Sequence, residues 1–158
     1  MNDRYLYRAK RTDNGEWIIG SLIQADYIGT VRSWISSEQY DKARLREISS
    51  NQAVWRAFEV RNDTICQCTG LNDNNGKLIF ENDIVELHDK NIDFTWRAIL
   101  SFGNPGEYTW GWRLEPLGEC KANEDILCWI DMEESGAFCE VIGNIFDNPE
   151  LLESKGCD

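Results

Sequence analysis

Hydrophobic and polar residues alternate over short stretches along most of the chain, and turn-forming residues separate these stretches. Alternation with a period of two places apolar side chains on one face of a β-strand. The pattern predicts strands at 4–9, 16–24, 27–34, 54–60, 64–69, 78–80, 84–87, 94–102, 110–114, 126–130 and 138–142. Asp13-Asn14-Gly15 and the segment 103–106 have the composition of turns between strands. The fold class is therefore mainly β.

Two segments have the spacing or the capping residues of a helix. Ser36 can cap a helix whose third residue is Gln39, and the apolar positions that follow predict a short helix at about 38–48. Asn148 followed by Pro149 predicts the start of a second helix, because proline fits the first helical position.

The densest turn signal lies between residues 64 and 87. Asn75-Gly76 favours a tight turn, and Asn82 separates two short apolar strands. Asparagine tolerates a left-handed backbone better than other residues with a side chain, so Asn82 predicts a sharp corner of a small β-barrel.

Composition excludes several classes of protein. The chain has 158 residues, of which 42% are hydrophobic and 11% are aromatic, which is not the composition of a disordered chain. No apolar run reaches the roughly 20 residues that span a bilayer. The first residues mix charged and apolar side chains and do not resemble a secretory signal. We expect a soluble, intracellular, globular protein with no membrane partner.

Charge is distributed unevenly along the chain. Residues 1–61 carry ten basic and eight acidic residues, a net charge of +2, whereas residues 62–158 carry six basic and twenty acidic residues, a net charge of −14. An acidic surface repels nucleic-acid phosphates, so nucleic acid is an unfavoured partner for the second part. For this second part we expect the partner to be a basic protein or another copy of the chain.

Several motifs together resemble the YopX family of small proteins encoded by bacteriophages and prophages. The resemblance rests on Thr64-Ile65-Cys66-Gln67-Cys68-Thr69-Gly70-Leu71, Asp73-x-Asn75-Gly76-Lys77, Ile79-Phe80-Glu81-x-Asp83-Ile84-Val85 and the closing segment 140–152. It implies a small SH3-like β-barrel in the C-terminal part and a location in the cytoplasm of a bacterial host cell. It implies no defined activity, so no catalytic or cofactor-binding residue can be transferred. The predicted organisation is an N-terminal β-rich segment with one short helix (1–61), an acidic barrel domain (62–153) and a tail (154–158).

The residues give no positive support for an enzyme, a metal site or a cofactor. Cys66 and Cys68 form a C-x-C pair, but the other four cysteines are scattered and the chain has one histidine, His88. Reduced cysteines that pack as small hydrophobic residues are favoured over a thiolate metal site. The acidic residues near Glu81 and Asp83 are attributed to turns and surface, and His88 to a solvated loop.

Two candidate interaction sites follow from the aromatic and basic residues. Trp110 and Trp112 share one face of a predicted strand beside Tyr108, so both tryptophans are either core residues or an exposed ledge for a partner. The first hypothesis is accordingly a non-enzymatic accessory protein that binds another protein or itself. The alternative is a nucleic-acid-associated protein that uses an N-terminal basic cluster. That cluster comprises Arg4, Arg8, Lys10 and Arg11.

Overall fold

The computed structural model describes residues 5–37, 57–106, 109–118, 125–130 and 136–153; within these ranges the side chains of residues 27, 104–106, 109, 110 and 128 are not described. The predicted helix at 38–48 lies outside the described residues. Ten strands are described: β1 (Tyr7–Lys10), β2 (Trp17–Tyr27), β3 (Thr30–Ser36), β4 (Ala57–Val60), β5 (Cys66–Asn72), β6 (Leu78–Phe80), β7 (Asp83–Asp89), β8 (Phe94–Gly106), β9 (Thr109–Pro116) and β10 (Ala137–Asn144). The helical segments are short: 3-10 helices at Asn62–Thr64 and Pro149–Leu152, and an α-helical turn, α1, at Leu127–Ile130. The mainly β fold class is confirmed.

The chain forms two compact units, residues 1–68 and 69–158. In the first unit the strand order is β4-β3-β2-β1-β5, and all the pairs with a described register are antiparallel. Ala9, Ile18, Ile35 and Val60 form its core. The predicted domain boundary after residue 61 falls between β4 and β5, within this unit.

Glycine at position 20 permits the close approach of β2 to β3. A Cβ atom at Gly20 would lie 2.0 Å from the carbonyl oxygen of Ser36. No side chain fits at that distance, so the strand must carry glycine there. Beyond Gly20, β2 and β3 continue together to a two-residue turn at Ile28-Gly29.

In the second unit, β6 lies beside β5, and an antiparallel sheet has the order β10-β7-β8-β9. Its core includes Leu87, Leu100 and Leu114, with Trp96 packed edge-on against Trp129 at a centroid distance of 5.5 Å. The pairings among the described strands do not close a barrel, so the SH3-like barrel stays a prediction.

Asn82 has φ = 64° and Gly76 has φ = 79°. The predicted left-handed corner at Asn82 and the predicted turn at Asn75-Gly76 are therefore confirmed. The neighbouring carboxylate of Asp83 is buried and accepts a hydrogen bond from the backbone N–H of Phe80 at 2.8 Å, which fixes the corner from inside.

Four local predictions are wrong. The predicted strand 27–34 is interrupted by the turn at Ile28-Gly29, and the predicted turn at 103–106 belongs to β8. Within the predicted strand 126–130, residues 127–130 form helix α1 instead, and the Asp125 side chain accepts a hydrogen bond from the Leu127 N–H at 3.0 Å at its start. His88 lies within β7, half-buried, with its Nδ1 2.8 Å from the Thr95 hydroxyl, and not in a solvated loop.

Candidate interaction surface

An aromatic pair lies near the far end of the β8–β9 hairpin. Phe102 on β8 is directly opposite Trp112 on β9, and the two rings meet edge-on at 5.0 Å with an interplanar angle of 66°. Phe102 is 51% exposed, whereas Trp112 is half-buried against the core. Both residues share a sheet face with buried Leu100 and Leu114, because they follow at intervals of two.

The β8–β9 hairpin extends beyond the end of the neighbouring strand β7. β7 pairs with β8 from Phe94 to Ile99, so the described pairing with β7 ends before Phe102. Beyond Ile99 the edge of β8 has no described pairing with β7, and the 51% exposure of Phe102 shows that the apolar face is partly open at this aromatic pair. An edge-to-face aromatic pair contributes about 0.5–1.5 kcal/mol beyond the area that it buries, which holds both rings in a fixed orientation.

Trp112 packs on the core and also borders exposed Phe102, so the structure places it between the two readings, and its role as an interaction ledge stays a prediction. The backbone of Trp110 lies in β9, but its side chain is not among those described, and Tyr108 lies outside the described residues. Sequence reasoning missed Phe102. Only the register of β8 against β9 reveals that it faces Trp112.

The N-terminal basic cluster is engaged in contacts within the first unit. Arg8 is 9% exposed, and its guanidinium lies 4.9 Å from the ring centroid of Trp17. The Lys10 ammonium lies 5.4 Å from the same ring. Arg11 lies 4.2 Å from the Phe58 ring. A cation over an aromatic face is stabilised by the ring quadrupole, so these three side chains contribute to packing inside the unit.

Arg11 also forms an ion pair with Asp13, donating through Nε at 2.9 Å. This hydrogen bond lowers the pKa of Asp13 below its usual value, and the charge of Arg11 lowers it further. The structure does not describe Arg4, the remaining member of the cluster. The described members are thus not a free basic patch.

Arg32 is held in the same way at the edge of the first sheet. Its guanidinium donates two hydrogen bonds to the Glu59 carboxylate, at 2.8 and 2.7 Å, and lies 5.5 Å from the Trp34 ring. Hydrogen bonding to Glu59 raises the pKa of Arg32, and the same bond lowers the pKa of Glu59. Two of the five N–H donors of Arg32 are therefore engaged by Glu59, and the carboxylate offsets the charge that a phosphate would meet.

Three cysteines are described as buried residues that form no disulfide with one another: Cys66, Cys68 and Cys139. Burial, with a further contribution from the charge of Asp73, raises the pKa of the Cys139 thiol to about 12. A thiol with such a pKa stays protonated at neutral pH and is a poor nucleophile. Among the described residues, no group of three or more His, Cys, Asp or Glu side chains could hold a metal ion.

The carboxylate of Asp73 accepts hydrogen bonds from three backbone N–H groups. Its Oδ1 accepts hydrogen bonds from the N–H groups of Asn75 and Lys77, both at 2.9 Å, and its Oδ2 accepts one from Val141 at 3.0 Å. Next to it, Asn74 exchanges hydrogen bonds with the backbone of Cys139. The loop after β5 therefore covers the outer edge of β10 and protects it from pairing with another chain.

The acidic residues around the corner have structural partners as well. Asp83 is bonded to the backbone, and Glu86 forms an ion pair with Arg97 at 2.9 Å. These contacts stabilise turns and strand pairs. No helix in the described ranges is long and apolar enough to cross a membrane.

Residues 6–153 match the family model described as YopX protein. No curated protein matches the chain. Among solved structures, the crystal structure of protein EF1440 from Enterococcus faecalis is 22% identical; the match covers 93% of this chain and 96% of that chain, with a TM-score of 0.42. Because the family match spans nearly all of the sequence, the chain belongs to the YopX protein family.

Proposed function

We propose that this chain is a phage- or prophage-derived accessory protein that acts in the cytoplasm by binding another protein and catalyses no reaction. The observation that carries the proposal is the half-exposed Phe102 ring held edge-on against Trp112 at the uncovered end of β8–β9. Aromatic residues are enriched at the centres of protein interfaces because a rigid ring buries a large area with little loss of side-chain entropy.

The net charge of −14 in residues 62–158 favours a basic partner surface around this pair. Such a charge mainly accelerates association and selects the partner, whereas the buried aromatic contact supplies most of the affinity. Residues 62–153 are further proposed to belong to an SH3-like barrel. This finer assignment is supported by the family resemblance.

Binding of nucleic acid through the N-terminal cluster is the weaker proposal. Arg8, Lys10 and Arg11 are engaged with aromatic rings, and Arg11 also with Asp13. Phosphate binding would have to compete with these contacts. We expect the fluorescence anisotropy of a labelled duplex to stay flat at 150 mM salt up to about tens of micromolar protein, the lower end of usual non-specific affinities.

The test of the proposed function compares three tagged proteins in cells that carry the prophage: wild type, Phe102→Ser and Ile92→Ser. Ile92 is also an exposed hydrophobic residue of the second unit, but it lies in the turn between β7 and β8, so its replacement is the matched control. We expect a partner that is retained by wild type and Ile92→Ser and is lost with Phe102→Ser. A partner that is unaffected by Phe102→Ser, or salt-sensitive duplex binding that is lost in Lys10→Ala, would contradict the proposal.

A further inference from the structure

The outer edge of β2 is the surface of the first unit with the least protection. β1 pairs with β2 only from Trp17 to Gly20, whereas β2 continues to Tyr27 in pairing with β3. Within residues 5–37 and 57–68, no strand is paired with the β1 side of β2 beyond Gly20. The β2–β3 arm is the hairpin from Ser21 to Ser36, including the turn at Ile28-Gly29.

The direction of the backbone groups in the arm follows from its turn. In a two-residue hairpin the flanking residues, here Tyr27 and Thr30, form a hydrogen-bonded pair, and such pairs recur at every second residue. The N–H and C=O groups of Leu22, Gln24 and Asp26 therefore point away from β3. The pairing of β1 with β2 gives the same alternation. The Arg11 N–H donates to the Glu16 carbonyl at 2.9 Å, so every second residue of β2 after Glu16 directs its backbone N–H and C=O groups toward the β1 side.

This edge lacks the usual protection against strand pairing. Natural edge strands carry lysine, proline or a bulge that prevents another strand from adding. The sequence Ser-Leu-Ile-Gln-Ala-Asp-Tyr has no basic residue and no proline, and its register against β3 is continuous. By contrast, the edge of β10 is covered by Asp73 and Asn74.

Exposed hydrophobic side chains concentrate in the arm. Four exposed large hydrophobic residues are described in the first unit; Ile23, Ile28 and Val31 lie in the arm, and Tyr5 lies two residues before β1. Ile28 is 88% exposed and has φ = 54°, a conformation that β-branched residues strongly disfavour. Neither burial nor backbone preference within the first unit accounts for isoleucine at this position, whereas contact with another chain would.

We propose that the edge of β2 pairs with the same edge of a second copy of this chain, in antiparallel orientation about a two-fold axis beside Gln24. In that register Gln24 faces Gln24 of the partner subunit, and Leu22 faces Asp26 of the partner subunit, so all three outward residues find backbone partners. The only charged side chain of the segment, Asp26, then lies opposite an apolar residue and not opposite its own copy. A symmetric pairing of this kind is self-complementary and closes as a dimer.

A second copy fits this edge better than a nucleic acid or a membrane does. The segment from Ser21 to Tyr27 offers no cation to a nucleic-acid phosphate or to an anionic lipid headgroup. The contact depends on the first unit alone and is independent of the proposed partner at Phe102. Because one pair of short strands buries a small area, we expect a dissociation constant of about micromolar or weaker.

The test exploits the outward direction of the Gln24 N–H. Gln24→Pro removes that donor and leaves the hydrogen bonds to β3 in place, since proline is tolerated on the free side of an edge strand. Gln24→Lys retains the donor but places two ammonium groups opposite each other at the axis. Gln24→Ala is the matched control, because it loses only the side chain and its bond to Ser33.

Sedimentation equilibrium over a range of protein concentrations gives the readout. We expect monomer–dimer association for wild type and Gln24→Ala, and dissociation constants raised about tenfold or more for Gln24→Pro and Gln24→Lys, since two backbone hydrogen bonds of about 1 kcal/mol each are lost or opposed. If the proline variant does not fold, as judged by far-UV circular dichroism, the lysine variant decides. A wild-type protein that stays monomeric at about 100 μM, or a dimer that Gln24→Lys leaves unchanged, overturns the proposal. Dissociation by Phe102→Ser alone would instead assign self-association to the aromatic pair.

Discussion

Replacing Asp73 with asparagine tests how strongly the loop after β5 is fixed to β10. The carboxylate accepts hydrogen bonds from three backbone N–H groups, and asparagine retains only one acceptor oxygen. In Asp73→Asn that oxygen can still serve Asn75 and Lys77, but an amide NH₂ then faces the Val141 N–H. A hydrogen bond to a charged acceptor contributes about 1.5–3 kcal/mol, and an unsatisfied buried donor costs about 1–3 kcal/mol. We expect Asp73→Asn to lower the free energy of unfolding of the second unit by roughly 3 kcal/mol.

The assay is chemical denaturation, combined with hydrogen exchange at the Val141 amide, which should lose protection selectively. Asp63→Asn is the control, because it makes the same chemical change in an exposed ion pair with Arg61. An exposed pair contributes about 0.2–1 kcal/mol. If Asp73→Asn costs no more than Asp63→Asn, or if the Val141 amide remains protected, the stabilising role assigned to Asp73 is wrong.

Four further predictions concern backbone conformation and the cysteines. Asn82→Val should lower the free energy of unfolding by about 1–3 kcal/mol, because a β-branched residue is strained at φ = 64°, whereas Asn82→Gly should be nearly neutral. Ile28→Asn should raise the free energy of unfolding by about 1 kcal/mol, since asparagine is favoured at this turn position; a loss of stability would contradict the turn geometry. Because the pKa of Cys139 is raised in the folded protein, the thiol contributes its full stability below the ordinary thiol pKa. As the pH rises from about 9 toward 12, the free energy of unfolding should fall by about 1.4 kcal/mol per pH unit. This fall should be shallower in Cys139→Ala. Thiol titration after anaerobic purification without reductant and denaturation should find all six cysteines of the chain free, with no stoichiometric zinc in elemental analysis; fewer free thiols, or bound zinc, would refute this.

Local chemistry made most strands and two corners predictable from the sequence. Alternation identifies a strand whatever its partner, and Asn82 and Gly76 are residues that accept a positive φ without help. The turn at Ile28-Gly29 was missed because isoleucine at its first position argues for a strand. Residues 126–130 were misread because an apolar run of that length suits either a strand or one helical turn. The Asp125 side chain accepts a hydrogen bond from the Leu127 N–H at the start of the helical turn. Whether such a bond forms depends on geometry as well as on sequence.

The candidate surfaces were less predictable, because both depend on where a neighbouring strand stops. Phe102 lies beyond Ile99, where the described pairing of β7 with β8 ends, and the β2 edge is open since β1 begins at Tyr7 opposite Gly20. These end points are set by the register between distant segments. A sequence pattern states which residues share a face, but it does not state how far the next strand covers that face.

The residues that carry the family resemblance explain why family membership alone says little about function. Asp73 bonds to three backbone groups and Asp83 to the Phe80 N–H, Asn82 turns a corner, and Cys66 and Cys68 are buried. Each of these positions is occupied with holding the fold, and a residue whose polar atoms are bonded inside the protein is not available to a ligand. Family membership therefore specifies an architecture. We therefore look for the specificity of this chain in its exposed positions. Among the residues that the structure describes, Phe102 leaves apolar area open, and the β2 edge beside Gln24 leaves backbone groups open.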